Sequence, residues 1–243
     1  MSKKLQTGTS EIVYTALKDQ ILHLELRPGE LVSEIVTSQT YHVSRTPVRD
    51  AFKMLELEGL LEVRPHIGTF VSQIDLNQTS TLLYMREVLE QAVLHDLALS
   101  FTPAQGLKLN VIISKQKSML STEKVLSTTN STTSEREKAN LRKAFLKSDT
   151  EFHAALYTLA GKAAIWEHLQ TINQHYERFR SFLKVGETDN LQALYEEHQK
   201  ILDCIFTKDL DELRKTITKH LYSGFNQSTE IIKKYPDYFK IES

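Results

Sequence analysis

Asp149 and His153 stand four residues apart in Lys147-Ser148-Asp149-Thr150-Glu151-Phe152-His153. On a helix that spacing stacks a carboxylate and an imidazole on one face, a turn apart. Phe145, Phe152, Leu156 and Leu159 lie close to the same stripe, which turns the pair toward a packed interior. His198 is in register with Leu191, Leu194, Ile201 and Leu202, and His220 follows Leu213, Thr216 and Ile217 on an apolar side. Three inward histidines and one aspartate, from three helices, can form a site of nitrogen and oxygen ligands. Such a set suits zinc, manganese, nickel or iron, and the donor types do not choose among them. Open positions would take water or a carboxylate. Spacing alone leaves a second account standing: core histidines satisfied by hydrogen bonds, with Asp149 paired to a basic side chain.

A second set of residues has a different chemistry. Arg45, Arg49 and Lys53 recur every fourth residue, while Val48, Ala51, Phe52 and Leu55 follow the spacing of a buried helical stripe. Ser44 is placed to cap this helix, its side chain accepting from a free first-turn amide. Pro47 falls within the first turn, where a missing N–H costs little. Three cations in line beside a helix N-terminus make a surface for phosphates and base edges. Arg86 is a further cation, on the side of Leu82, Leu83, Leu89 and Val93. A buried arginine needs an anion: either a carboxylate ligand or Glu90, its i+4 neighbour. Arg178 and Arg180 fall on different helix faces, so at most one points into the same interior. His95, His168 and His175 lack a pattern and are expected at the surface or in packing; His23 and His42 are expected to be structural.

These residues need elements to hold them. Ile12, Ala16, Leu17, Ile21 and Leu24 predict an amphipathic first helix, which Leu26-Arg27-Pro28-Gly29 ends with turn chemistry. Ser33 can cap a short second helix running to about Tyr41, and Gly59 stands where a C′ glycine belongs after the third. Leu60-Leu61-Glu62-Val63 and Thr69-Phe70-Val71 are β-type runs around a Pro65-His66-Ile67-Gly68 turn. Three helices and a hairpin make a winged helix-turn-helix, whose third helix enters a major groove. Beyond residue 77 the β signals stop. Helical patterns then cover about 79–99, 103–120, 135–160, 163–183, 187–206 and 210–233, with Ser127–Ser134 as a mobile loop. The predicted fold is mainly α: a winged helix-turn-helix over 10–73 and an all-helical bundle over 79–233. A flexible start (1–9), a linker (74–78) and a tail (234–243) complete the chain.

The formal net charge of the 243 residues is −1, and the first domain has more acidic than basic side chains. Non-specific attraction to DNA is therefore modest, and affinity must come from locally placed charge and paired half-sites, which favours a dimer. Cys204 is the single cysteine; it excludes an intramolecular disulfide and a cysteine-rich zinc module, and its apolar run suggests packing. No signal peptide or membrane-spanning run is expected, so the sequence predicts a soluble, cytoplasmic protein.

Leu26-Arg27-Pro28-Gly29-Glu30-Leu31, Val43–Ala51, Leu57-Glu58-Gly59-Leu60-Leu61 and Gly68-Thr69-Phe70-Val71 together resemble the DNA-binding domain of the GntR family of bacterial regulators. The resemblance implies DNA contacts by Arg45, Thr46 and Arg49 on the helix and by His66 and Gly68 in the wing; Lys53 would grip phosphate. Where the family has a glycine before the recognition helix, this chain reads Thr40-Tyr41-His42-Val43. The second domain resembles the FCD sensor domain. Its pattern is met by Arg86–Glu90, Asp149–His153, Leu156, Ala160-Gly161, Glu197–Leu202 and His220-Leu221. That resemblance implies a divalent metal on Asp149, His153, His198 and His220, helping to hold a small organic acid clamped by Arg86.

The expected protein is not an enzyme but a homodimeric repressor or activator. It would bind a palindromic operator in double-stranded DNA, with half-sites about one helical turn or less apart. Its small carboxylate effector would act through the metal. Two rivals remain at this point: a regulator whose pocket is a metal-free polar network, and a metal-dependent hydrolase in which the same four ligands activate water.

Overall fold

The computed structural model describes residues 2–128, 132–185 and 190–240, with side chains described over 8–128, 135–183 and 190–240. In chain order the elements are α1 (Ser2–Leu22), β1 (Leu31–Val32), α2 (Glu34–Thr40), α3 (Arg45–Leu57), β2 (Leu61–Arg64) and β3 (Gly68–Val71). Then come α4 (Leu76–Ser100), α5 (Pro103–Ser127), α6 (Thr132–Leu159), α7 (Ala163–Gln170), α8 (Gln174–Val185), α9 (Leu191–Thr207), α10 (Leu210–Asn226) and α11 (Thr229–Lys234).

The chain divides into two compact units. The first takes residues 1–81, 172–188 and 227–243. Its core forms because Val13, Leu17 and Ile21 on α1 and Val48, Ala51, Phe52 and Leu55 on α3 are apolar stripes at helical spacing. They close over Leu60, Leu61 and Val71 of the hairpin. β2 and β3 pair antiparallel from Leu61↔Val71 to Arg64↔Gly68, and β1, too short to be seen in the sequence, adds to the other edge of β3. Ser33 caps α2 as expected, its side chain accepting from the Val36 amide at 3.5 Å. Ser44 stands at the N-cap of α3 with extended backbone, but its side chain makes no capping hydrogen bond. The expected cap bond is therefore corrected to a cap by backbone conformation alone.

Two turns frame α3. At its end Leu60 N donates to Leu55 O and Gly59 N to Glu56 O, with Gly59 at φ +71°; this paired closure is the Schellman arrangement. Before it, His42 adopts φ +53°, in the left-handed region that favours glycine. The turn is kept and its backbone cost falls on a residue with a Cβ, about 1–2 kcal/mol by the general penalty.

The segment after β3 is hydrogen-bonded throughout. Ser72 N donates to Leu60 O, Ser72 Oγ donates to Gly59 O at 2.6 Å, and Arg178 of α8 donates to both Ser72 oxygens. Ile74 N donates to Tyr238 O and Lys240 N to Ile74 O, a parallel bridge to Phe239. Asp75 N donates to His175 Nδ1 at 3.0 Å, and the Asp75 side chain accepts from the Asn77 and Gln78 amides at the start of α4. Phe182 packs edge-on against Tyr235 and Phe239, which fixes α8 and the C-terminal residues in this unit. The sequence boundaries put 172–183 in the helical bundle and 234–243 in a tail; both belong to this unit by contact. Residues 2–9, expected to be flexible, are part of α1.

The second unit takes residues 82–171 and 189–226. It buries Leu94, Leu97 and Ala98 of α4, Leu109 and Ile113 of α5, Phe145, Phe152 and Leu156 of α6, Ile201 and Ile205 of α9, and Ile217 of α10. Cys204 is buried, as its apolar run suggests. Thr102 and Gln105 form a reciprocal capping box before α5, with Pro103 in the first turn. Two long helical runs in the sequence prove to be broken. Residues 163–183 split at Thr171-Ile172-Asn173 and 210–233 at Gln227-Ser228; the β-branched Thr171 and Ile172 and the short polar Asn173 and Ser228 disfavour helix. The expected loop 127–134 is narrower: α5 reaches Ser127 and α6 starts at Thr132, while 129–131 lie outside the described residues. Among the described residues no helix is long and apolar enough to cross a membrane.

Candidate functional sites: a buried histidine centre and a cationic helix

Asp149, His153, His198 and His220 come together as their register requires. One ligand atom of each lies within 4.8 Å of the others, and every one of the four is buried. His153 and His220 approach Nε2 to Nε2 at 3.1 Å, and Asp149 Oδ1 lies 3.3 Å from His198 Nε2 and 3.9 Å from His220 Nε2. α6 contributes two ligands one turn apart; α9 and α10 contribute one each.

The outer nitrogens decide what the inner ones are. His153 Nδ1 lies 2.7 Å from Glu90 Oε2, His198 Nδ1 2.9 Å from Gln116 Oε1, and His220 Nδ1 3.1 Å from Glu197 Oε2. Each partner is an oxygen that only accepts, so each Nδ1 carries the proton. The three Nε2 atoms are then bare lone pairs facing one another beside a carboxylate. His198 Nε2 makes no hydrogen bond although it is fully buried. This donor set, with its outer support, could hold a divalent metal. Burial pushes the His198 pKa down to about 4 against the pull of Asp149, and it lowers His153 against the pull of Glu90. Both imidazoles are therefore held neutral, as ligation needs.

Glu90 shares its two oxygens between Arg86 Nε (2.7 Å) and His153 Nδ1. Burial pushes Glu90 up, but the Arg86 guanidinium and His153 outweigh it and hold its pKa at about 2. The ion pair that the sequence offered as one account of Arg86 is thus present. The guanidinium also lies over Trp166, 5.6 Å from the ring centre, and Trp166 stacks 6.1 Å from His153. Tyr157 packs on the same indole, and its buried hydroxyl makes no hydrogen bond. Gln116, Glu90 and Glu197 are the residues that register alone did not single out as supports. Gln116 leaves one signal: it is the polar member of an otherwise apolar stripe, Leu109, Ile113 and Leu120. Arg178 is absent from this centre; it is fully buried in the other unit, where burial lowers its pKa to about 9. Arg180, in that same unit, lies over Tyr176.

On the first unit, Arg45, Thr46, Arg49 and Lys53 are all exposed along α3, opposite the buried Val48, Ala51, Phe52 and Leu55. Arg49 donates through Nε and Nη2 to the carboxylate of Glu34 at 3.3 and 3.1 Å. His66 is exposed at the tip of the wing with φ +62°. Gly68 opens β3 at φ +150°, and a Cβ there would fall 2.6 Å from Leu31 Cδ1, so the position calls for glycine. Arg64 covers the Phe70 ring at 4.5 Å and pairs with Glu62, stiffening the hairpin.

Residues 9–71 match the family described as bacterial regulatory proteins, gntR family, and residues 81–223 match the FCD domain. The chain belongs to the gntR family of bacterial regulators, in the group that carries an FCD domain, and it is a DNA-binding transcriptional regulator rather than an enzyme. The HTH-type transcriptional repressor RspR of Escherichia coli K12 is 25% identical over 230 residues, covering 95% of this chain and 93% of that one. A regulator from an unstable DNA locus of Streptomyces ambofaciens is 28% identical over 231 residues, 95% of this chain and 89% of its own. In fold the chain is similar to the E. coli McbR/YncC structure, at a TM-score of 0.62 and 18% identity over 93% of this chain and 98% of that one. A GntR regulator from Rhodococcus gives 0.63 and 20%, over 90% and 96%.

Proposed function

We propose that this regulator is a homodimer whose grip on a palindromic operator is set by a small carboxylate effector bound beside a divalent metal. Asp149, His153, His198 and His220 hold the ion. The observation that carries this is the arrangement of the imidazoles: three protonated Nδ1 atoms are spoken for by Glu90, Gln116 and Glu197, and three bare Nε2 atoms converge on Asp149. The ion would be zinc, manganese, nickel or iron, and it would supply a positive centre that an acid's carboxylate can join. Arg86 shares Glu90 with His153, so a guanidinium stands one carboxylate away from a ligand ring and is placed to clamp the same effector. The unsatisfied hydroxyl of Tyr157 is suited to a polar group on it.

On DNA, Arg45, Thr46 and Arg49 read base edges, Lys53 holds phosphate, and His66 and Gly68 bring the wing to the backbone. Two heads of a dimer meet two half-sites, and work on a bacterial chromosome places the protein in the cytoplasm. Repression is supported by the likeness to RspR of E. coli, an HTH-type transcriptional repressor. The effector can shift DNA affinity only by its own differential affinity for the two arrangements, typically about 1–3 kcal/mol.

A metal-free centre is favoured by one distance: at 3.1 Å, His153 and His220 can share a proton between their Nε2 atoms. Elemental analysis of the purified full chain separates the two. The expected result is one divalent ion per chain in the wild type, lost or weakened in His153→Ala with helical content retained. Equally little metal in both proteins, even after metal is supplied and excess removed, would leave the metal-free network as the answer.

A further inference from the structure

The three cations of α3 are not equivalent. Arg49 alone is held: Glu34, in the first turn of α2, takes its Nε and Nη2 through both carboxylate oxygens. Arg45 and Lys53 make no ion pair among the described residues. The pair is exposed, 58% for the Arg49 side chain and 32% for Glu34, so its contribution to fold stability is small. Its geometry matters more. A guanidinium has two edges that can form parallel pairs of hydrogen bonds, one through Nε and Nη2 and one through Nη1 and Nη2. The carboxylate occupies the first and leaves the second.

We infer that Glu34 is a positioning residue for base reading: it fixes the plane of Arg49 so that the Nη1/Nη2 end is offered, already ordered, to a guanine in the major groove. That end matches the O6 and N7 acceptors of guanine, the commonest specific contact of arginine. Holding the side chain in advance removes part of the rotamer entropy that binding would otherwise cost. The same carboxylate repels phosphate. A misplaced head therefore meets an uncompensated negative charge, which weakens binding to the wrong sequence. Glu34 acts twice in one direction, by strengthening the right contact and penalising the others. The inference rests on α3 being the base-reading helix.

The test uses the full-length protein and two duplexes: the one that wild type selects from a randomised library, and a scrambled duplex of equal composition. Glu34→Ala should bind the scrambled duplex about two- to threefold more tightly, through loss of a negative charge. It should bind the selected duplex more weakly, so that the ratio of affinities falls roughly tenfold, within the range of one bidentate base contact. Repeating the selection with Glu34→Ala should relax one guanine per half-site, the same position that Arg49→Ala relaxes, and the double variant should lose no further selectivity. Glu34→Gln, which keeps volume and one acceptor, should fall between. A rise in affinity for both duplexes with an unchanged ratio, in folded Glu34→Ala and Glu34→Gln, would overturn the inference and leave Glu34 a mere repelling charge. If Arg49→Ala itself keeps full selectivity, then the base-reading role of Arg49 has failed, and the positioning role goes with it.

Discussion

The histidine centre and the cationic helix treat charge in opposite ways. In the centre each imidazole nitrogen that faces inward is set by the one facing outward: Glu90, Gln116 and Glu197 set the tautomers of His153, His198 and His220. The His153 and His198 rings are neutral because burial keeps protons off them. On α3 the cations are permanent and stand in solvent, and among the described residues only Arg49 has an ion-pair partner to orient it. The buried site thus specifies its ligand before arrival, at the expense of burying many polar groups. The surface site depends on its ligand, a polyanion, to complete it. On the proposed function, the first property serves a sensor and the second a searching DNA reader.

Acid should break this contrast most strongly. Unfolded histidines titrate near 6.5, while His198 is held at about 4, so between these values the unfolded chain takes up protons before the folded one. Stability from the centre is complete above about 6.5 and is lost progressively as pH falls toward 4. On the proposed function, the metal should leave over the same window, because ligation needs bare nitrogen. Guanidinium and ammonium groups do not titrate there. Melting temperature and metal content, followed together from neutral pH downward, should fall in step; a flat melting temperature would remove the neutral histidines from the account.

A smaller effect is expected from Gln116→Leu. It frees His198 Nδ1 without touching a ligand, and loss of such an outer support typically costs about 10- to 100-fold in metal affinity. Competition against a chromophoric chelator measures it, and wild-type affinity in this variant would mean that tautomer control is not the role of Gln116. Lys53→Ala is expected to do least. It should weaken binding to all duplexes alike and reduce the salt slope by about 1, because a phosphate contact carries no sequence information. Titrations at several salt concentrations would expose a different role if the loss were confined to the selected duplex.

What the sequence makes legible follows from how local each feature is. The Asp149–His153 pair, the apolar register of His198 and His220, and the Val48–Leu55 stripe are all set by helical period, and the structure unites or buries them accordingly. The outer supports are tertiary. Gln116 shares no element with His198, nor Glu90 with His153, so no spacing links them. Arg178 shows the same limit from the other side. Helical period left open whether it or Arg180 points inward, but its actual anchor, Ser72, is 106 positions away, and only the folded chain brings the two together. The breaks at Thr171–Asn173 and Gln227-Ser228 lie in weak helix formers, yet comparable residues run through α4 undisturbed. Local propensity marked where a break was cheap, and packing chose where it fell.

The hydrogen-bonded segment after β3 has an implication for how this chain can be dissected. Residues 72–75 are enclosed by Arg178 and His175 from one distant stretch and by Asp237, Tyr238 and Lys240 from another. A fragment ending at residue 75 would therefore expose Ile74 to water and strip Ser72 and Asp75 of their companions. The unit that carries the cationic helix is a composite of three separate pieces of polypeptide, and a fragment that keeps residues 72–75 enclosed includes the last.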